Sequence, residues 1–469
     1  GYLAAVLKQM GHEVFGLNPN NKVGYPSAKF MLQDLLVSRI KETQPDLIGF
    51  GGLCTDYAFL KDAISISRGA NPNIPIVLGG QIVTNDCDTV VDLLRPDFAI
   101  TGEAEVGIKK VLELMKSPNQ AIVQSVGVSD LDSLPFPDYE PFGVREMLDK
   151  HSMATRLLYR YSRPYPRPFI IVASRSCPFT CTFCVHGRRD APYRARSIEN
   201  IMAEIKEMYE KYEFNILIIM DELFAVKNSR LKEFSQAVLE GREKYKWDFD
   251  WMFQTHASAK LDLETLKLAK EAGCFFFSYG LESASPVVLK SMNKRIDVEQ
   301  VVEAMELARQ AKVGFGANLI FGDPVETEET WAESLSFWLK YGQSNMIFLS
   351  GLMPYPGCEV FETCRQKGMF KDMKTYYEHI DESPVNMTCI PNGRLRGLLN
   401  LNAHLEGGWF FVKEASNVRT ELKEGRMYKI WASCPHCGEE SLYRNEINKP
   451  SWLGVGCTKC HQRMTVCIA

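Results

Sequence analysis

Cys177, Cys181 and Cys184 fall within eight positions of "SRSCPFTCTFCVHG", residues 174–187, at a C-x3-C-x2-C spacing. Three thiols so close in a proline-containing loop are metal ligands by type and spacing, not core packing. Two fillings are open on spacing alone. Zinc would take the three thiolates and His186. A four-iron cluster would place the thiolates on three irons and leave the fourth iron open to a substrate or cofactor. A second set, "CPHC" at 434–437 and "CTKC" at 457–460, forms C-x2-C-x19-C-x2-C, the paired-knuckle pattern of a zinc ribbon. Four thiolates close the coordination sphere, so this metal is expected to be structural, with rubredoxin-like iron the chemical alternative. His436 and His461 lie beside these ligands and are redundant to them.

The elements that must position the loop are short apolar runs separated by helical patterns. In residues 1–115 the runs "HEVFGL", "DLIGFGG", "PIVLGG" and "DFAITGE" read as buried parallel strands, with helices near 57–70 and 105–116. This predicts a doubly wound α/β (Rossmann-like) domain whose ligand lies beyond the carboxyl ends of the strands. Glycines gather at those ends: Gly51 and Gly52, Gly79 and Gly80, and Gly102, as a broad ligand approaching the backbone would require. Residues 129–168 are proline-rich and aperiodic and read as a linker. From Phe169 the alternation resumes on a longer period, with "FIIVAS", "ILIIMD", "DWMFQT", "CFFFSYG", "FGANLIFG" and "MIFLSGLMP" as strands and helices near 198–212, 264–272 and 298–312. Six such repeats predict an open sheet or a partial (β/α)6 TIM-like barrel, with active residues at the C-terminal strand ends. The domains expected are therefore 1–128, a linker 129–168, 169–360, a helical or irregular extension 361–430, and the ribbon 431–469.

Bulk properties narrow the class. With 469 residues, 45% hydrophobic and 24% charged, the chain is a globular protein of two or three domains. A net charge of −4 offers no electrostatic case for nucleic acid or a membrane surface, and no basic–aromatic patch surrounds the ribbon. No run approaches the length of a transmembrane span, and the start, "GYLAAVLKQMGHEV", lacks the pattern of a signal peptide. It reads as the middle of a helix, so an upstream strand is expected to be missing. Seven of the fourteen cysteines fall in the two clusters, which favours metal binding in a reducing, cytoplasmic setting over disulfides. The others, Cys54, Cys87, Cys274, Cys358, Cys364, Cys389 and Cys467, read as buried small hydrophobes.

The C-x3-C-x-Phe-C loop after a first strand resembles the signature of the radical S-adenosylmethionine (SAM) enzymes, and Phe183 is its phenylalanine. The resemblance implies that Cys177, Cys181 and Cys184 hold a [4Fe–4S] cluster whose open iron binds SAM. It makes His186 a bystander. It also implies SAM contacts from Glu222, or alternatively Asp221, in "IIMDELF", from Gln254 or His256 in "QTH", and from Glu282 of "GLES" near the ribose. "LKSMNK", "FGDPVET" and "PYPG" are further local matches, read as turns and caps with indirect roles. The N-terminal segment and its "LDSLPFPDY" linker look like the cobalamin-binding domain that precedes many such barrels. Corrin contacts are then expected near Thr55, Gly79, Gly80, Gly102 and Glu103. The D-x-H-x-x-G motif that supplies an axial histidine in other cobalamin proteins is not in the chain, and its usual place lies upstream of Gly1.

The resemblance, which covers roughly residues 1–360, implies a cobalamin-dependent radical SAM enzyme. Methyl transfer to an unactivated carbon through methylcobalamin and a 5′-deoxyadenosyl radical is the main expectation. The alternative keeps both cofactors and performs a cyclisation or rearrangement. A third reading, from another class, is a zinc-binding protein with no enzymatic activity. The expected partners are a small-molecule, natural-product or lipid-type substrate and a one-electron reductant such as flavodoxin or ferredoxin.

Overall fold

A computed structural model describes residues 1–468 apart from 20–24, 117–120, 150–162, 164–165, 187–191, 381–384, 408–411, 423–426 and 447–450. It divides into two units. The first comprises Gly1–Met147, Thr182–Arg194 and Met353–Val385; the second comprises Leu148–Cys181, Ala195–Leu352 and Asn386–Ala469.

In the first unit four parallel strands pair in chain order: β1 (Ile48–Gly51), β2 (Ile76–Gly79), β3 (Phe98–Gly102) and β4 (Ala121–Ser125). Successive side chains of a strand point to opposite faces, and both faces of this sheet are covered. Ile76 and Leu78 of β2 pack with Tyr57, Leu60 and Ile64 of helix Tyr57–Ala70. Val77, between them, packs with Val6, Ile108 and Val111 from helices Tyr2–Gln9 and Ala104–Leu114. Residues 353–385, which span the expected boundary between the second domain and the extension at 361–430, bring Tyr377 onto Tyr57, ring centroids 5.1 Å apart. The Tyr377 hydroxyl donates to Asp86 Oδ2 at 3.0 Å.

The run "HEVFGL" is not a strand. Its side chains are largely exposed, and the buried Gly16 is pressed so near the turn at Glu140–Phe142 that a Cβ would lie 2.5 Å from the Pro141 carbonyl oxygen. The fourth strand is instead β4, whose pattern of part-exposed residues did not stand out in the sequence.

In the second unit six parallel strands again pair in chain order: β5 (Pro168–Ile171), β6 (Ile216–Ile219), β7 (Asp250–Thr255), β8 (Cys274–Glu282), β9 (Gly314–Phe321) and β10 (Met346–Gly351). The helices Ile198–Tyr212, Asn228–Tyr245, Leu263–Glu271, Val298–Ala311 and Glu328–Tyr341 connect them. Their starts are set by side chains that accept otherwise orphaned amide hydrogens. Ser197 accepts from Asn200 N, Asp262 from Thr265 N and Thr327 from Thr330 N. Strand β6 is buried along its whole length, as a parallel strand covered on both faces must be. Trp251, Phe253, Phe277 and Phe315 form a run of ring contacts across β7, β8 and β9.

The tail contributes helix Asn392–Gly407 and strands β11 (Ser416–Leu422), β12 (Met427–Ser433), β13 (Glu440–Glu446), β14 (Ser451–Gly456) and β15 (Arg463–Ile468). β11, β12 and β13 form one antiparallel sheet and β14 and β15 a second. They share a core that includes Ile430, Tyr443, Val455 and Met464. This tail rests on the amino ends of the later strands of the six-stranded sheet. Arg463 N–H donates to Ser344 O at 3.1 Å and its Nη1 to Gly342 O at 3.3 Å, just before β10. The His461 ring meets Phe275 at the start of β8 edge to face, and its Nε2 meets Lys270 Nζ.

Gly102 ends β3 with φ +77°, and a Cβ there would lie 2.3 Å from the Ser125 carbonyl oxygen. Gly102→Ala combines left-handed strain with a backbone clash, so it should lower the stability of the first unit by roughly 1–3 kcal/mol. A fall in the thermal midpoint, followed by circular dichroism, is the expected result; an unchanged midpoint would count against this packing.

Candidate active site

The chain leaves β5 and enters the cysteine loop through Ser174, and the end of β6 holds that exit. Asp221 Oδ1 accepts from Ala173 N at 2.7 Å, and its Oδ2 accepts from the Ser174 hydroxyl at 2.6 Å. Burial pushes the Asp221 carboxyl up to about 6 against the lowering effect of these bonds. Of the two acidic candidates at this strand end, Asp221 is therefore spent on the loop's anchorage, whereas Glu222 stands half-exposed. The three loop cysteines are half-buried thiols, not disulfides. Phe183 is half-buried on the same loop, and Gln254 is exposed near the end of β7.

His256 follows β7 and is 4% exposed. Its Nδ1 accepts from Ser258 N at 3.2 Å, which leaves the ring proton on Nε2, and desolvation pulls its pKa down to about 4. The neutral ring stacks on Phe179 of the cysteine loop, centroids 4.0 Å apart. Glu282 ends β8 at φ +70° and pairs with Lys294, Nζ to Oε1 3.0 Å, both nearly buried. A Cβ at Gly280 would lie 2.4 Å from Lys294 Nζ, so the glycine of "GLES" makes room for that lysine. The structure thus gathers Glu282 and His256 with Lys294 and its neighbour Asn293, two residues that sequence reasoning left as part of a turn. The available signal was a lysine twelve positions after Glu282, next to buried Met292.

In the first unit the strand-end glycines form an open ledge. Gly51, Gly80 and Gly102 are exposed, with Gly79 and Thr55 half-buried beside them. Leu53, Val106 and Val126 are 49%, 48% and 80% exposed. Side-chain-free backbone ringed by exposed apolar groups fits a large flat ring. Gly80 has φ +86°, and a Cβ there would meet Gly52 N at 2.7 Å, so neighbouring backbones close directly on one another. Glu103 accepts from Arg194 and from Val128 N, which commits its carboxylate to holding residues 128 and 194. Gln81, just after Gly80, meets His186 Nδ1 at 3.3 Å. That bond ties His186 to the ledge through one ring nitrogen.

At the tail, the ligand atoms of Cys434, Cys437, Cys457 and Cys460 lie within 4.8 Å of one another, and among the described residues no other such group occurs. Sγ of Cys434 is 3.7 Å from that of Cys460, and Sγ of Cys437 is 3.6 Å from that of Cys457. These separations match the roughly 3.8 Å edge of a tetrahedron built on Zn–S bonds of about 2.3 Å. The four thiols therefore fit one tetrahedral ion. His436 Nε2 is engaged by the Arg463 carbonyl at 2.9 Å, so neither neighbouring histidine is needed by the site.

Two domain families match the chain: the B12 binding domain over residues 1–112 and the radical SAM superfamily over residues 171–337. The chain thus carries a B12-binding domain followed by a radical SAM domain. Those two domains imply a [4Fe–4S] cluster, SAM and cobalamin as cofactors. An uncharacterised methyltransferase of Pyrococcus horikoshii is 24% identical over 346 residues, 69% of this chain and 70% of that protein. The anaerobic magnesium-protoporphyrin IX monomethyl ester cyclase of Cereibacter sphaeroides is 23% identical over 407 residues, 80% of this chain and 61% of that longer protein. Among solved structures, the radical SAM methyltransferase TsrM from Kitasatospora setae, with tryptophan and a SAM analogue bound, shares the fold. Its TM-score is 0.59 at 16% identity, covering 78% of this chain and 73% of that one. Among the described residues no helix is long and apolar enough to cross a membrane.

Two outcomes test this geometry. Between pH 3.8 and about 6, folded Asp221 keeps a proton that the unfolded chain has lost, so its contribution to stability falls as pH rises through that window. Asp221→Asn should flatten that part of the thermal midpoint profile; an unchanged slope would show that Asp221 does not titrate there. For the tail, a chelator with thiol modification should release one zinc per chain. Hydrogen exchange should then rise at the Arg463 amide, which donates to Ser344 O, and protection left unchanged there would show that the tail's metal does not support this end.

Proposed function

We propose that this chain is a cobalamin-dependent radical SAM methyltransferase acting on an unactivated carbon. The observation that carries the reading is the presence on one chain of a three-thiol loop after β5 and an open glycine ledge at the carboxyl ends of β1, β2 and β3. When bound, reduced cluster and SAM supply hydrogen abstraction, and cobalamin carries the methyl group.

The chain's own groups hold and orient these cofactors. Cys177, Cys181 and Cys184 bind three irons and leave one open. Half-exposed Glu222 meets the methionine amine, with Asp221 behind it holding the loop's exit. Glu282, already held by Lys294, faces the ribose, while Gln254 and the Nε2–H of His256 line the same strand ends, and Phe183 of the cysteine loop is a further SAM contact. Thr55, Gly79, Gly80 and Gly102 present backbone to the corrin, and Glu103 fixes the rim through Arg194. In this reading β5–β10 with their helices are a partial (β/α)6 TIM-like barrel, and the tail is a structural zinc ribbon. The reductant is a flavodoxin or ferredoxin, and the substrate is a small molecule of natural-product or lipid type. Fourteen thiols suit a reducing compartment, the cytoplasm.

A second reading, cyclisation or rearrangement without methyl transfer, is favoured by the similarity to the cyclase, which extends over 80% of this chain. Labelled methyl from SAM appearing in the product supports methyl transfer; 5′-deoxyadenosine without label in the product supports the second reading. Cys181→Ala should abolish 5′-deoxyadenosine formation, measured by chromatography after anaerobic reduction. Retained formation would sink both readings.

A further inference from the structure

The turn that follows helix Pro286–Ser291 reaches two parts of the site at once. Asn293 sits there at φ +51° and Arg295 at φ +52°. Asn293 Nδ2 donates to the Thr180 carbonyl at 3.0 Å and lies 2.9 Å from the Thr180 hydroxyl. The amide cannot be the other way round, because Asn293 Oδ1 accepts from Arg295 Nε at 3.2 Å. Thr180 lies between Cys177 and Cys181, so this amide grips the chain between the first two cluster ligands. From the other side, His256 stacks on Phe179, the preceding residue. The next residue of the turn, Lys294, reaches back to Glu282 at the end of β8. Its backbone N–H is fixed on Leu289 O at 3.0 Å, and Gly280 leaves the space for its amine.

We propose that Asn293 and Lys294 form a positioning strut that sets the register between the cysteine loop and the strand-end carboxylate Glu282. This rests on the radical SAM reading of the loop and goes beyond it. One rigid turn, with consecutive side chains pointing to opposite tasks, makes the distance from cluster to Glu282 a property of the turn rather than of two independent loops. A cofactor that bridges both places would be bound in strained form whenever the strut slipped. Asn293 touches no reacting atom; it acts through Thr180.

The test uses the full chain, reconstituted anaerobically. Asn293→Asp keeps size and the left-handed preference but removes the donor, and Asn293→Gly keeps the backbone conformation and removes the whole amide. Both should keep the wild-type thermal midpoint and cobalamin content. Both should release cluster iron to a ferrous chelator about tenfold faster, and should need about tenfold more SAM to change the electron paramagnetic resonance spectrum of the reduced cluster. Thr180→Val, which leaves the carbonyl acceptor, should fall between them and wild type. Release rates and SAM responses within about twofold of wild type in both Asn293 variants would overturn the strut. A wild-type reduced cluster that ignores SAM would overturn the underlying reading as well, and is told apart because the unmodified chain then fails.

Discussion

All six strands of the second unit run parallel and pair in chain order, so the loop leaving each strand emerges at the same edge of the sheet. That single constraint brings together residues as distant in sequence as Asp221, His256 and Glu282 without any dedicated scaffold. It also separates duties. The carboxyl edge carries the polar groups with unusual environments, while the amino edge is left for packing, and the tail occupies it there through His461 and Arg463. The first unit repeats the principle on four strands, with glycines instead of carboxylates at the ends.

Charge buried at such an edge is expensive unless it is answered. Lys294 and Glu282 are both nearly buried, and losing one partner would strand the other at a cost of roughly 3–5 kcal/mol. Arg196 and Glu204 form a second buried pair, where Arg196 also donates to the Val172 carbonyl next to the loop's exit. Such pairs contribute little net stability against apolar replacements, but they penalise every arrangement in which the partners part. At a strand edge where several polar groups converge, that penalty serves geometry. Asp221 illustrates the same economy: an acid raised by burial is retained because both its oxygens hold the entrance to the cysteine loop.

Much of this was legible in the residues. Helices Tyr57–Ala70 and Ile198–Tyr212 and strand β7 fall where periodicity placed them, because each is long enough, or buried enough, to carry a clear pattern. The tail's four thiols meet as the paired spacing implied. What escaped was decided by tertiary context. "HEVFGL" has strand-like composition, yet its side chains are left largely exposed. Residues 361–430 and 431–469 read as extension and appendage, but Tyr377 completes a core around Tyr57, and Arg463 reaches the carbonyls before β10. Asn293 and Lys294 were taken for turn formers, since no local pattern reveals that a turn's side chains reach Thr180 more than a hundred positions earlier. Part of the linker, at 150–162 and 164–165, lies outside the described residues.

The two thiol centres make opposite demands on the cell's metal supply. The tail holds its sulfurs at the edge lengths of a small tetrahedron, a cage that any divalent ion with an appetite for thiolate can enter and that gains nothing from inorganic sulfide. The loop offers only three thiols, one fewer than a closed four-thiolate site needs. The tail packs against the start of strands whose far ends present Glu282 and its neighbours, so an ion held by the four thiols would brace the sheet from the edge opposite its polar groups.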